Sequence, residues 1–318
     1  MKSFLRMLIL SFFGFAGSCF ATEKAWHFTA NDINALHSKP ADEQIVYGSE
    51  PLQFGRLRLP NSEGPHPVAI VIHGGCWTSK FATIQNTEAL ADALRDQGMA
   101  TWNIEYRGTD ANGGGWPGTF EDVGSAADFL REIASKYSLD LSRVVVVGHS
   151  AGGHLALWLA ARHKIPSDSV LFKENPLVLR GVISLGGIPD LKAFRKLGSS
   201  EQGCGEDVVG KLLGGAPDLV SEHFMEASPK ELLPLGAPQI LVYGADDLVV
   251  PAELGRAYMQ VAQKKGDSVE LFVVKGAAHH EYAAPNSVTW PVVKTAVISL
   301  QNGATVKNTG TFQCLLER

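Results

Sequence analysis

An α/β architecture, a mostly parallel twisted sheet with helices on both faces, is expected from three features of this 318-residue chain. Short β-branched runs at Val68–Ile72, Val144–Val147, Gly181–Leu185, Gln239–Tyr243 and Val269–Val274 contain few polar residues, as strands buried on both faces require. Segments of helical periodicity separate these runs, and that alternation is the mark of parallel strands joined by crossovers. Glycine-rich turns carrying Ser, His or Asp follow several of the strands, at the carboxyl edge where the sites of such sheets collect.

Composition agrees with one large core. The chain is 45% hydrophobic and 19% charged, ordinary values for a globular protein of this size. A formal charge of −5 and the lack of any basic run argue against a nucleic-acid partner. Lys2 and Arg6, the apolar stretch Met7–Gly17 and small residues before a cut after Ala21 read as a signal peptide over 1–21, too short to span a bilayer. The product would be exported, periplasmic or secreted. An alternative is a lipid anchor at Cys19, since Ala16-Gly17-Ser18-Cys19 resembles a lipoprotein cleavage box without its usual first Leu. Residues 22–318 read as a single domain, with neither an internal repeat nor a dividing linker.

In order, Thr22–Ser49 is polar and mixed, a surface wrap with one helical turn near Asp32–His37. Leu52–Leu59 alternates apolar and polar residues and ends at Pro60, the pattern of an edge strand with one wet face. Val68–Ile72 is the first buried strand and runs into His73-Gly74-Gly75-Cys76-Trp77. Helical spacing over Asn86–Asp96 stops at Gly98, and Ala100–Ile104 is the next strand. Thr109–Gly118 is a glycine-rich loop. Thr119 then caps a helix reaching Tyr137, with Asp122 near its positive end. Val144–Val147 and a helix over His154–His163 flank Gly148-His149-Ser150-Ala151-Gly152. From Gly186 to Leu235 glycines and prolines break up short apolar pieces, which reads as a small helical insertion over the site. Gln239–Tyr243, a helix over Ala252–Lys265, Val269–Val274 and a helix over Trp290–Leu300 complete the domain.

The chemistry starts at Ser150. G-x-S-x-G between a strand and a helix is a nucleophile elbow, a sharp turn that pushes the serine hydroxyl out at the sheet edge. A serine hydroxyl needs a base to take its proton, and the base needs a carboxylate to hold its tautomer. Both residue types follow the last two core strands, in Gly244-Ala245-Asp246-Asp247 and in Gly276-Ala277-Ala278-His279-His280. Within these segments Asp246 or Asp247, and His279 or His280, are the candidates. No His and acid spacing suited to a metal is present, and Gly113-Gly114-Gly115 lacks the Lys-Ser/Thr of a phosphate loop, so no cofactor is expected.

From about Tyr47 to Leu300 the chain resembles an α/β-hydrolase esterase, and within that superfamily the kynurenine formamidase-like and small carboxylesterase branch. Tyr47-Gly48, His73-Gly74-Gly75-Cys76-Trp77, Gly148-His149-Ser150-Ala151-Gly152 and the Asp247 and His279 segments carry the likeness. The resemblance implies Asp247 as the acid, from Gly-x-x-Asp-x-x-Val-Pro, and His279 as the base, from Gly-Ala-x-His. It implies an oxyanion hole made by the amides of Gly75, Cys76 and Ala151, with His73 bracing the loop. The family more often has Gly or Tyr in place of Cys76, which leaves the amide in position but alters the pocket beside it. Pocket walls are sought in Trp77, Trp116, His149 and His280, with Phe81 and Trp290 as further candidates.

The function implied is hydrolysis of small carboxylic esters through an acyl-enzyme, the partner being a small-molecule ester or amide. An aryl formamidase acting on an N-formylkynurenine-type amide is one alternative. A hydrolase-fold binding protein without turnover is another, against which the complete set of Ser150, Asp247 and His279 argues. Cys204 and Cys314 are expected to form a disulfide pinning the tail to the insertion, as an oxidising compartment permits.

Overall fold

The computed structural model describes residues 27–198 and 203–303, so the expected leader, Cys19 and Cys314 lie outside the described residues. Along the chain run α1 (Ala30–Asn34), β1 (Glu43–Val46), β2 (Phe54–Arg58), β3 (His66–Ile72), α2 (Glu88–Arg95), β4 (Ala100–Ile104), α3 (Gly118–Asp128), α4 (Leu130–Ile133) and β5 (Leu139–His149). Then come α5 (Ala151–Ala161), β6 (Gly181–Leu185), α6 (Leu191–Gly198), α7 (Val208–Leu213), α8 (Ser221–Ala227), β7 (Gln239–Gly244), α9 (Ala252–Lys264), β8 (Val269–Val274) and α10 (Trp290–Gln301).

The strands form one eight-stranded sheet in the order β1-β2-β4-β3-β5-β6-β7-β8. The β1–β2 and β2–β4 pairs are antiparallel and the remaining pairs parallel. The four valines of β5 explain the layering. Val144 and Val146 face a core built with α3, α5, α9 and the insertion, while Val145 and Val147 face a second core with α2 and α10. All four are fully buried, and burial of each contributes about 2 kcal/mol. The sheet is therefore covered on both faces, and the carboxyl ends of β5, β7 and β8 open onto one edge.

Three local expectations are corrected. The edge strand is β1, not the Leu52–Leu59 segment, which lies between β1 and β4. Alternating arginines imitate a wet face there, yet Arg58 is buried, and Arg56 and Arg58 share the buried Glu88 carboxylate. Thr119 Oγ1 donates to Arg107 O, so it does not cap α3, and the Asp122 carboxylate is taken by Arg107 Nη2 and Nε at 2.7 and 2.8 Å. That helix begins after Pro117, and α4 follows it after Phe129 instead of one helix continuing to Tyr137. The helix after Ser150 starts at once, at Ala151, where His154 was expected. The insertion does form three short helices, α6, α7 and α8.

Candidate active site

Ser150 occupies a left-handed conformation, φ 55° and ψ −119°, between β5 and α5. This strained turn is held by Ser150 N–H donating to Leu185 O at 2.9 Å and by close backbone contact on either side. A Cβ on Gly148 would lie 2.0 Å from Gly152 O, and one on Gly152 would lie 2.2 Å from Ile72 O. Glycine is therefore obligatory at both positions, since a side chain at Gly148 would run into the elbow's own backbone and one at Gly152 into the end of β3.

Around the hydroxyl the expected residues converge. Ser150 Oγ lies 3.0 Å from His279 Nε2. His279 Nδ1 lies 2.9 Å from Asp247 Oδ2, and a carboxylate can only accept there, so Nδ1 donates and Nε2 is left to receive the serine proton. The amides of Val249 and Val250 both donate to Asp247 Oδ1 at 2.9 Å. Tyr282, which the sequence reading did not single out, donates its hydroxyl to Asp247 Oδ2 at 3.0 Å while accepting the Gly244 N–H. Burial works against the ionised Asp247 carboxyl, but the His279 ring and its hydrogen bond, the Val250 amide and the Tyr282 hydroxyl outweigh it and lower the pKa. Asp246 is half exposed and His280 is not bonded to Ser150, so the geometry favours the other member of each adjacent pair.

The His73 loop runs beside the elbow. Gly75, Cys76 and Trp77 all have positive φ, at 97°, 53° and 57°. Among the described residues no backbone hydrogen bond uses the Gly75 or Cys76 amide. His73 is a brace: its Nε2 lies 2.7 Å from Glu105 Oε1, and its ring stacks on Tyr106 at 4.4 Å. Burial raises the Glu105 pKa, but the His73 ring and the hydrogen bonds from His73, Ile84 and Tyr106 outweigh it, leaving it lowered.

A cavity of about 160 Å³ opens on Ser150, with His149, His279 and His280 among its walls. His149 Nε2 donates to His279 O at 2.8 Å, steadying the loop that carries it. Burial, together with His279 and His280 nearby, pushes His149 well below the ordinary imidazole range. Burial, then His279, lowers His280 to about 4. Both rings are thus neutral at neutral pH. The wider walls come from Phe81, Ala82, Asn86, Val249 and, from the N-terminal segment, Ala30.

Trp77 and Trp116 are not among those walls. Trp77 is fully buried beneath the loop, its Nε1 donating to His154 Nδ1 at 3.1 Å and its ring edge-on to Phe194. The left-handed backbone at Cys76 and Trp77 turns the indole inward. Trp116 instead stacks on His223 of α8 at 4.3 Å, and Trp290 packs against the second core. The disulfide is also different from the one expected: Cys204 is bonded to Cys76, not to Cys314. The insertion folds back so that Gly203 borders the cavity, which brings Cys204 to the loop beside Ser150. Among the described residues no group of three or more His, Cys, Asp or Glu is arranged to hold a metal ion. No described helix is long and apolar enough to cross a membrane.

Comparison with known proteins agrees with this architecture. The BD-FAE family model matches residues 57–260. Esterase LipC of Mycobacterium tuberculosis is 27% identical over 244 residues, covering 74% of this chain and 59% of that protein. The probable isoprenylcysteine alpha-carbonyl methylesterase ICMEL1 of Arabidopsis thaliana is 25% identical over 244 residues, covering 74% of this chain and 50% of that one. The chain thus spans about half to three-fifths of the length of these curated relatives. Esterase B from Lactobacillus Rhamnosis superposes with a TM-score of 0.68 at 19% identity, over 86% of this chain and 90% of that one. A truncated carbohydrate esterase from gut microbiota gives 0.68 at 20% identity, over 83% and 99%. At these identities the two structures show the α/β-hydrolase fold.

Proposed function

Because the chain belongs to the BD-FAE family, we propose that it is a serine esterase cleaving small carboxylic esters through an acyl-enzyme. The observation that carries the reading is the hydrogen-bonded chain Ser150 Oγ–His279 Nε2–Asp247, with links of 3.0 and 2.9 Å, closed on a cavity that the nucleophile borders. Relatives named as esterase and methylesterase support it. Ser150 Oγ attacks the ester carbonyl as His279 Nε2 takes its proton, and the charge formed on the ring is stabilised by Asp247. The oxyanion is held by the amides of Gly75, Cys76 and Ala151, each worth roughly 3 kcal/mol in the transition state. His279 passes the proton to the departing alcohol oxygen. Water then attacks the acyl carbonyl as His279 takes its proton, and His279 passes that proton to Ser150 Oγ as the acyl–oxygen bond breaks, releasing the acid and restoring Ser150 and neutral His279.

At about 160 Å³ the cavity is small beside the roughly 300–1,000 Å³ of ordinary small-molecule sites, which favours a short acyl group. Export directed by residues 1–21 is part of the proposal, and the Cys76–Cys204 bridge favours an oxidising compartment. The test is labelling with a fluorophosphonate followed by a panel of p-nitrophenyl esters and N-formylarylamines. Ser150 should be labelled, Ser150→Ala should lose both label and turnover, and kcat/KM should peak between acetate and butyrate. An unlabelled wild type would remove the enzymatic reading. Formanilides turning over faster than every ester would move it to an aryl formamidase, and a peak at decanoate or beyond to a lipase.

A further inference from the structure

The segment before β1 reads in the sequence as a surface wrap, yet it reaches the loops of both catalytic partners. Thr29 caps α1 in a closed box, its Oγ1 accepting from Asp32 N–H and its own N–H donating to Asp32 Oδ2. The helix is held down by Ile33, 2% exposed, against Ala283 and Ala284, which follow His279 in the chain. Asn86 Nδ2 donates to Asn34 Oδ1 at 3.4 Å, linking the segment to a cavity wall.

His27 lies just before this helix. Its Nδ1 is 3.0 Å from Glu281 Oε1, and its Nε2 is 3.7 Å from Asp246 Oδ2. Glu281 is buried two residues after His279, and it also accepts from Phe28 N–H at 3.2 Å and Ala278 N–H at 3.1 Å. Asp246 directly precedes Asp247. One imidazole therefore spans the turn that carries the acid and the turn that carries the base. Three residues further on, Ala30 borders the cavity with Ser150.

We infer that His27–Asn34 is a working part of the active site, an inference that rests on the serine esterase reading. His27 and Glu281 are positioning residues that hold the Asp247 and His279 turns at the spacing that keeps Ser150, His279 and Asp247 in line. Ala30 is a specificity-determining residue, because its small side chain leaves room that a larger one would occupy. The chemistry of Ser150 does not pass through any of these three residues. Their effect is on geometry in the first case and on the volume left for the substrate in the second.

The experiment uses the intact chain, with active sites titrated by fluorophosphonate so that rates refer to competent enzyme. Labelling of the wild type is scored first, so that failure of the esterase reading shows there and not in the comparisons between variants. His27, with a side chain 35% exposed, is replaceable without opening the core. His27→Ala is expected to lower kcat per titrated site about tenfold with KM within twofold. His27→Arg, which keeps a donor able to reach both carboxylates, should recover at least half of the loss on a logarithmic scale. Ala30→Leu should raise the acetate-to-butyrate ratio of kcat/KM at least fivefold. A kcat per site within twofold of wild type in His27→Ala, or a change confined to KM, would overturn the positioning role. An unchanged acyl-chain profile in Ala30→Leu would overturn the wall.

Discussion

Cutting the Cys76–Cys204 bridge should weaken the fold and the catalyst together. Cys204→Ser is the informative change, because Cys76 itself supplies a backbone donor to the proposed oxyanion hole. The bridge closes a loop of 128 residues. Chain-entropy arithmetic for a loop of that length gives about 5 kcal/mol of stabilisation, all of it exerted on the unfolded chain. With unfolding entropy near 2.1 cal/mol/K per residue and about 270 folded residues, Tm should fall by about 9 °C. The activity loss has a separate origin. Cys204 holds Cys76 from the side chain while Gly203 borders the cavity, so release lets the Cys76 amide drift from the position it must occupy in the transition state. Complete loss of one such donor reduces kcat by 10² to 10³, so a partial loss of about tenfold is expected. Thermal melts and p-nitrophenyl acetate kinetics well below Tm measure the two effects. Peptide mapping without reductant should recover a Cys76–Cys204 linked pair. Cysteines that are both open to alkylation, or a variant melting within 2 °C of wild type with unchanged kcat, would refute the reasoning.

Acid should destabilise the fold through His154, which is fully buried between Trp77 and Ala227 O. Burial lowers its pKa to about 4 from 6.5, so between those values the unfolded chain binds a proton that the folded one does not. Stability therefore falls as pH drops from 6.5 towards 4, by on the order of 3 kcal/mol from this residue. Chemical denaturation across that window should show a shallower pH slope in His154→Gln, whatever its absolute stability; an identical slope would rule His154 out as the cause. Trp77→Ala should cost about 3–5 kcal/mol, as removal of a fully buried indole does, and leave the acyl-chain profile of the folded fraction unchanged. A shift towards longer chains would return Trp77 to the pocket wall.

Some of this protein was legible one residue at a time. The four valines and the glycines around Ser150 are local features, and they settle a buried strand and a strained turn carrying the serine without knowledge of the rest of the chain, whereas the helix expected from His154 begins three residues earlier, at Ala151. Asp247 and His279 were reachable because each follows a buried strand directly, and parallel strands bring their carboxyl ends to one edge. Where elements are held by charge pairs, the pattern misleads: Arg56 and Arg58 mark a wet face by spacing, but the distant Glu88 carboxylate takes them in.

Tertiary structure alone decided which surfaces meet at the cavity. The partner of Cys204, the inward turn of Trp77, the stacking of Trp116 on α8 and the arrival of Ala30 beside Ser150 all depend on contacts between segments far apart in the chain. No spacing or composition near any one of these residues encodes its partner. Strand and turn chemistry is dictated by the sterics of neighbouring residues, whereas a pocket wall depends on how loops of different length fold back over the sheet.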